Sequence, residues 1–312
     1  MEREEANDLQ DTLGAFEGAF VKKAVKPVTV PQCAHILLAV DRSNQDKDAI
    51  ELTTTLAKRW SSRVSVIFAD GDVSSNDGQE YAKSVVEKLA SEGLVVEAEA
   101  TKPLFAAHQI LAAQTRTRAD LIVMPAPYMR DVGLLGDESL SSVVDVLIAE
   151  APVPVLLLRY PQDDIKSTLM EPLVAVTVHL EEAELAAGWA FKLMDPAGHM
   201  TLLAVADPGV IEAAAKILGH NVDDPATREA TLRRFELGEI GGITAAVQKH
   251  ANATGQQVTV EVKVGHAVRT VVEEATKRHG IVCMGAPVDR TSEAYGRAVN
   301  IILRTKNPVL VT

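Results

Sequence analysis

The stretch Ala119–Pro127, ADLIVMPAP, decides the fold, because a second copy stands at His279–Pro287, HGIVCMGAP. In each copy four apolar residues run without polar alternation between a helical pattern and a Gly/Pro break, as in a strand buried on both faces of a parallel sheet. The chain therefore carries one module twice. Outward from the first copy, HILLAVD (35–41), VSVIFAD (64–70) and LVVEAEA (94–100) read as strands, with helical patterns over 46–60, 77–92 and 104–116 between them. After the fourth strand, the spacing of Leu140, Val143, Val144, Leu147 and Ile148 predicts a helix that Pro152 stops, and PVLLLR (154–159) is a fifth strand. The second copy repeats this order with LVAVT (173–177), helix 181–194, MTLLAVAD (200–207), VTVEVKV (258–264), helix 267–278, the IVCM strand, helix 293–304 and PVLVT (308–312).

Strands alternating with helices require parallel pairing through right-handed crossovers. The expected fold is α/β, two tandem Rossmann-like, doubly wound domains, each a five-stranded parallel sheet of order 3-2-1-4-5 with helices on both faces. The 312 residues suit two domains of about 150 each. Boundaries fall at an N-terminal helix and linker over 1–33, a first domain over 34–160, a polar linker over 161–171 and a second domain over 172–312, with an insertion at about 208–257. In the first segment Leu9, Leu13, Phe16 and Phe20 are spaced for an amphipathic helix over 2–24, which folds back onto the protein or docks a partner. The fifth strands hold apolar sequence without lysine inside them, an aggregation hazard on a bare sheet edge. Residues 154–158 and 308–311 are therefore expected to pair with each other.

Composition narrows function. A net charge of −12 argues against nucleic acid, whose phosphates most of the surface would repel. The apolar runs are of strand length, too short to insert in a membrane, and the acidic start MEREEAND shows no signal peptide. Cys33 and Cys283 lie in different modules, Cys283 inside a buried strand, which suits a reducing cytoplasm. In a sheet of this order a ligand sits at the carboxyl ends of the first and fourth strands. That point is bordered in the first module by Asp41, Met124, Pro125 and the loop to Ser142, and in the second by Thr177, Gly285 and the loop to Gly296.

The sequence ILLAVD, a helix, ADLIVM, a loop and SSVVDVLIAEAPVPVLLL resembles the universal stress protein family. LVAVT, GHAVRTVVEEATKRHGIVCMG and NPVLVT resemble it again, giving the tandem two-domain form. The resemblance implies a stress-response protein and an adenine-nucleotide site. Its nucleotide-binding members end the first strand in Asp and carry a G-x2-G-x9-G-[ST] loop whose backbone N–H groups wrap phosphates. Asp41 matches the adenine carboxylate, Gly133 and Gly136 give the G-x2-G, Ser142 matches the last Ser, and Ser141 stands where Gly is expected. Only four residues separate Gly136 from Ser141, and Asp137 and Glu138 bring negative charge to the expected phosphate position. In the second module Gly285, Arg290 and Arg297 suit an anion, while Thr177 replaces the Asp and Tyr295-Gly296 replaces Gly-Ser.

The expected function is thus a cytoplasmic binding and regulatory protein with degenerate nucleotide sites. The first alternative is a stress protein that takes ATP or AMP in its first domain through Asp41, Met124, Pro125, Gly133, Gly136, Ser141 and Ser142. The second is an adenylyl-transferring or nucleotide-hydrolysing enzyme of a related superfamily. No catalytic signature and no Cys/His metal spacing is found, so no enzyme activity and no metal are expected. Asp41 reads equally as a helix N-cap, and the acidic loop favours that reading. Expected partners are a second copy or another protein through the N-terminal helix, and the resemblance adds regulation of a transporter.

Overall fold

Unbroken apolar runs become the inner strands of one continuous sheet. The computed structural model describes residues 25–69, 77–100, 104–129, 139–176, 180–209, 212, 240–285 and 290–312. The first half contains β1 (His35–Ala39), α1 (Asp46–Trp60), β2 (Arg63–Ile67), α2 (Asp77–Ser91), β3 (Val96–Ala98), α3 (Ala106–Thr117), β4 (Leu121–Pro125), α4 (Ser142–Glu150) and β5 (Val155–Leu158). A 3-10 turn at Lys166–Leu169 leads to β6 (Leu173–Val176), α5 (Leu180–Leu193), β7 (His199–Ala206), α6 (Gly241–Thr254), β8 (Gln257–Val264), α7 (Ala267–Arg278), β9 (Val282–Met284), α8 (Glu293–Arg304) and β10 (Val309–Val311).

The strand order is β3-β2-β1-β4-β5-β10-β9-β6-β7-β8, the expected 3-2-1-4-5 arrangement in each half. Within each half the strands are parallel, and the halves meet in an antiparallel seam, Val309 opposite Leu157 and Val311 opposite Val155. The two fifth strands therefore pair as their composition demanded. The third strand is shorter than its apolar pattern: of 94–100 only Val96–Ala98 pairs, whereas β8, the other edge strand, pairs over its whole length from Gln257 to Val264. The N-terminal helix expected over 2–24 and most of the insertion expected over 208–257 lie outside the described residues.

Alternation along β1 divides the core. Ile36 and Leu38 face a cluster built with α1, α2, α5 and α6, while Leu37 and Ala39 face one built with α3, α4, α7 and α8. The sequence offers material for two cores, and the sheet places one on each face, each running through both halves. Clasps at the helix ends tie the halves further. Arg59 Nη1 donates to the carbonyls of Leu193 (2.9 Å) and Met194 (3.2 Å) at the end of α5, and Nη2 pairs with Asp195 at 3.0 Å. Trp60 meets Trp189 edge-on at 6.4 Å. On the opposite face Arg290 reaches Glu150 at 3.0 Å. The stretch from Val25 to the start of β1 crosses the first face, with Val28 buried and its N–H donating to Ala246 O.

Candidate functional site

The crevice of the first half is built by the chain leaving β1. Asp41 follows the strand and is 8 % exposed, with Oδ1 accepting from Ser43 N–H at 2.9 Å and Oδ2 from Met129 N–H at 2.7 Å. Burial pushes its carboxyl above the ordinary carboxylate range, and the hydrogen bonds from Ser43 and Met129 oppose that rise. Asp41 is not the helix cap that its position suggested. The residue before α1 is Gln45, without a side-chain cap bond, and Asp41 instead closes a turn onto Ser43.

Asp46, the first residue of α1, turns back toward the strand end. Its carboxylate accepts from Arg42 N–H at 2.7 Å, from Asp41 N–H at 3.2 Å and from the Tyr81 hydroxyl at 2.8 Å. Burial, and then the neighbouring Asp41, push it up to about 6. Arg42 lies over the rings of Phe68 (5.6 Å) and Tyr81 (5.4 Å) and donates to Asp77 O. Sequence reasoning missed this group, and its signal was faint: Phe68 and Tyr81 sit at a strand end and on a helix with nothing in their spacing to join them.

Met124 and Pro125 end β4, which pairs with β1 as expected, and Met124 is fully buried. The chain then turns back over the strand ends. Tyr128 is 1 % exposed, its hydroxyl donates to Val40 O at 2.8 Å and accepts from Ala69 N–H at 3.0 Å, and Met129 supplies the N–H on Asp41. Asp41, Met124 and Pro125 thus stand at the ends of the neighbouring strands β1 and β4, where a tyrosine that the sequence reading passed over also bonds. Gly133, Gly136, Asp137 and Glu138 lie outside the described residues.

Ser141 occupies the N-cap position of α4 at φ 76°, a backbone state that favours glycine, and its hydroxyl makes no cap bond. The Ser141 Oγ is buried without a hydrogen-bond partner, whereas Ser142 is exposed. Arg159, 2 % exposed at the end of β5, donates from Nη1 to Ser139 O at 3.2 Å and accepts on its carbonyl from Gln45 Nε2 at 2.8 Å. A buried guanidinium therefore stands near the start of α4, and the apolar reading of PVLLLR had hidden it.

In the second half Thr177 lies outside the described residues and Gly285 is buried at the end of β9. Ser292 caps α8, accepting from Tyr295 N–H at 3.1 Å, so Tyr295-Gly296 lies inside the helix and not ahead of it. The two arginines expected to favour an anion are engaged with carboxylates, Arg290 with Glu150 and Arg297 with Glu293. Among the described residues no group of three His, Cys, Asp or Glu could hold a metal, and no helix is long and apolar enough to cross a membrane.

No protein-family model and no curated protein matches the sequence. Solved structures match its shape. A universal stress protein from Archaeoglobus fulgidus DSM 4304 superposes with a TM-score of 0.64 at 18% identity, over 90% of this chain and 98% of its own. The chain has the universal stress protein fold in its tandem form. A functionally unknown protein from Pseudomonas aeruginosa PAO1 is similar as well, with a TM-score of 0.62, 15% identity and coverage of 89% of this chain and 92% of its own. The likeness expected from the sequence motifs thus holds for the fold over both halves. In this fold the crevice at β1 and β4 is the topological switch point, and here it is bordered by Asp41, Tyr128 and Met129.

Proposed function

We propose that this chain is a cytoplasmic binding and regulatory protein of the universal stress protein type, with degenerate adenine-nucleotide sites in both halves. One observation carries the reading: the polar groups that a base would need at the ends of β1 and β2 are already engaged by the chain itself. Both oxygens of Asp41 hold backbone N–H groups, and one tyrosine hydroxyl holds Val40 O and Ala69 N–H. A buried site with its donors and acceptors taken gains little from a ligand that must first break those bonds. Titration of the unmodified protein with ATP and AMP, with mass spectrometry of gently purified material, tests the reading. No saturable binding and no retained nucleotide are expected. A nucleotide carried through purification would overturn it.

A second reading has support at α4. The unpartnered Ser141 hydroxyl, the backbone turned at a glycine-type angle and the nearby buried Arg159 suit a phosphate or another small anion. Under this reading the first half keeps AMP or ATP through its phosphates. Binding that Arg159→Met abolishes, in a variant that still folds, would favour it over the first. In either reading the apolar stripe of residues 2–24 folds back onto its own protein or joins a second copy or a partner, and light scattering separates these: a change from dimeric to monomeric mass on deleting the segment supports the homodimer.

A further inference from the structure

Tyr128 does more than fill space. Val40 O and Ala69 N–H belong to the ends of two neighbouring strands, and both lie within 3.0 Å of a single phenolic oxygen. An acceptor beside a donor is the complement of any flat ring whose edge places an N–H or O–H next to a lone pair. The next residue of the same turn gives its N–H to Asp41. The ring is 1% exposed and belongs to the buried apolar cluster on that face of the sheet, so it occupies space closed to water. The geometry points to Tyr128 as a tethered occupant of a ring-binding pocket, standing in for a ligand whose edge carries adjacent donor and acceptor groups.

This inference rests on the reading of the first half as a degenerate adenine-nucleotide site and names what degrades it. A free ring must displace a covalently attached one at very high effective concentration, so apparent affinity falls by the fraction of molecules in which the pocket is vacated. Adenine, with an amino group beside a ring nitrogen, has the required edge, and phenol reproduces the side chain itself.

Two variants test it. Tyr128→Gly removes the occupant, and phenol is expected to raise its melting temperature toward that of the parent while leaving the parent unmoved, as a ligand that binds only the folded state does. Tyr128→Phe keeps the ring and loses both hydrogen bonds, and calorimetric titration is expected to show adenosine binding at least about 10-fold tighter than to the parent. A folded Tyr128→Gly protein that phenol does not stabilise would overturn the inference. So would a Tyr128→Phe protein that binds adenosine no better than the parent, and this titration decides alone if the glycine variant does not fold. Phenol rescue involves no nucleotide, so its failure leaves the degenerate-site reading standing. Tight ATP binding by the unmodified protein would remove that reading instead.

Discussion

Two carboxylates, Asp41 and Asp46, share the end of β1 with no lysine or arginine ion-paired to either among the described contacts, and both titrate upward because burial disfavours charge. For Asp46 the folded value of about 6 lies above its ordinary 3.8, so the folded state holds the proton more tightly than the unfolded chain does. The stability this group contributes is therefore full below the ordinary value and is lost as the pH rises through about 6. Asp41 shifts in the same direction. Denaturant unfolding should show a decline across that window that Asp46→Asn flattens, and carboxyl carbon NMR should place a midpoint near 6. As a helix N-cap Asp41 would be worth about 1 kcal/mol, but the cap position belongs to Gln45. The burial of Asp41 and its two N–H donors change that expectation. Asp41→Ala should cost about 1–3 kcal/mol, since the amides of Ser43 and Met129 lose their acceptor inside the protein. Urea unfolding at pH 7 measures the difference.

At the scale of elements, the strap from Val25 to β1 depends on the absence of a side chain on α5. A Cβ at Gly188 would stand 2.3 Å from Thr29 O, so Gly188→Ala must lift the strap or shift the helix. A cost of about 1–3 kcal/mol is expected, with faster proteolysis within residues 25–34 as its distinguishing sign. In β5 every partner is a strand, β4 on one side and β10 on the other. Leu156→Pro removes an N–H from that ladder and should destabilise by about 3 kcal/mol or more, measured by denaturant titration. Elements of this kind were legible in the sequence: the LIVM and VLLL runs are too short for helices and each adjoins a proline, so they read as buried strands, and their alternation with helices gives the sheet order. The candidate site was legible only where chemistry lies on the main line of the motif, at Asp41, Met124, Pro125 and Ser141. Tyr128 and Arg159 were not, because their partners are distant in sequence: Tyr128 meets the ends of β1 and β2, and Arg159 meets Ser139 and Gln45. A tyrosine after Pro127 carries no mark of the backbone groups it will meet 59 and 88 residues away.

The whole molecule has two cores that ignore the boundary between its halves, joined by the β5–β10 ladder and by the Arg59 and Arg290 clasps. Calorimetry is expected to show one cooperative transition, and two separated peaks would contradict the shared cores. Arg59→Ala, which strips the end of α5 of its donor and Asp195 of its cation, should lower stability by about 1–3 kcal/mol without changing ligand behaviour. The antiparallel seam has a further effect. Because the strands of one half run against those of the other, the two switch points open toward opposite rims of the sheet, back to back. A single flat partner or one membrane surface can therefore approach only one of them at a time. The sheet stands between the two ends as a spacer, and each end is free to lose its own chemistry without obliging the other to follow.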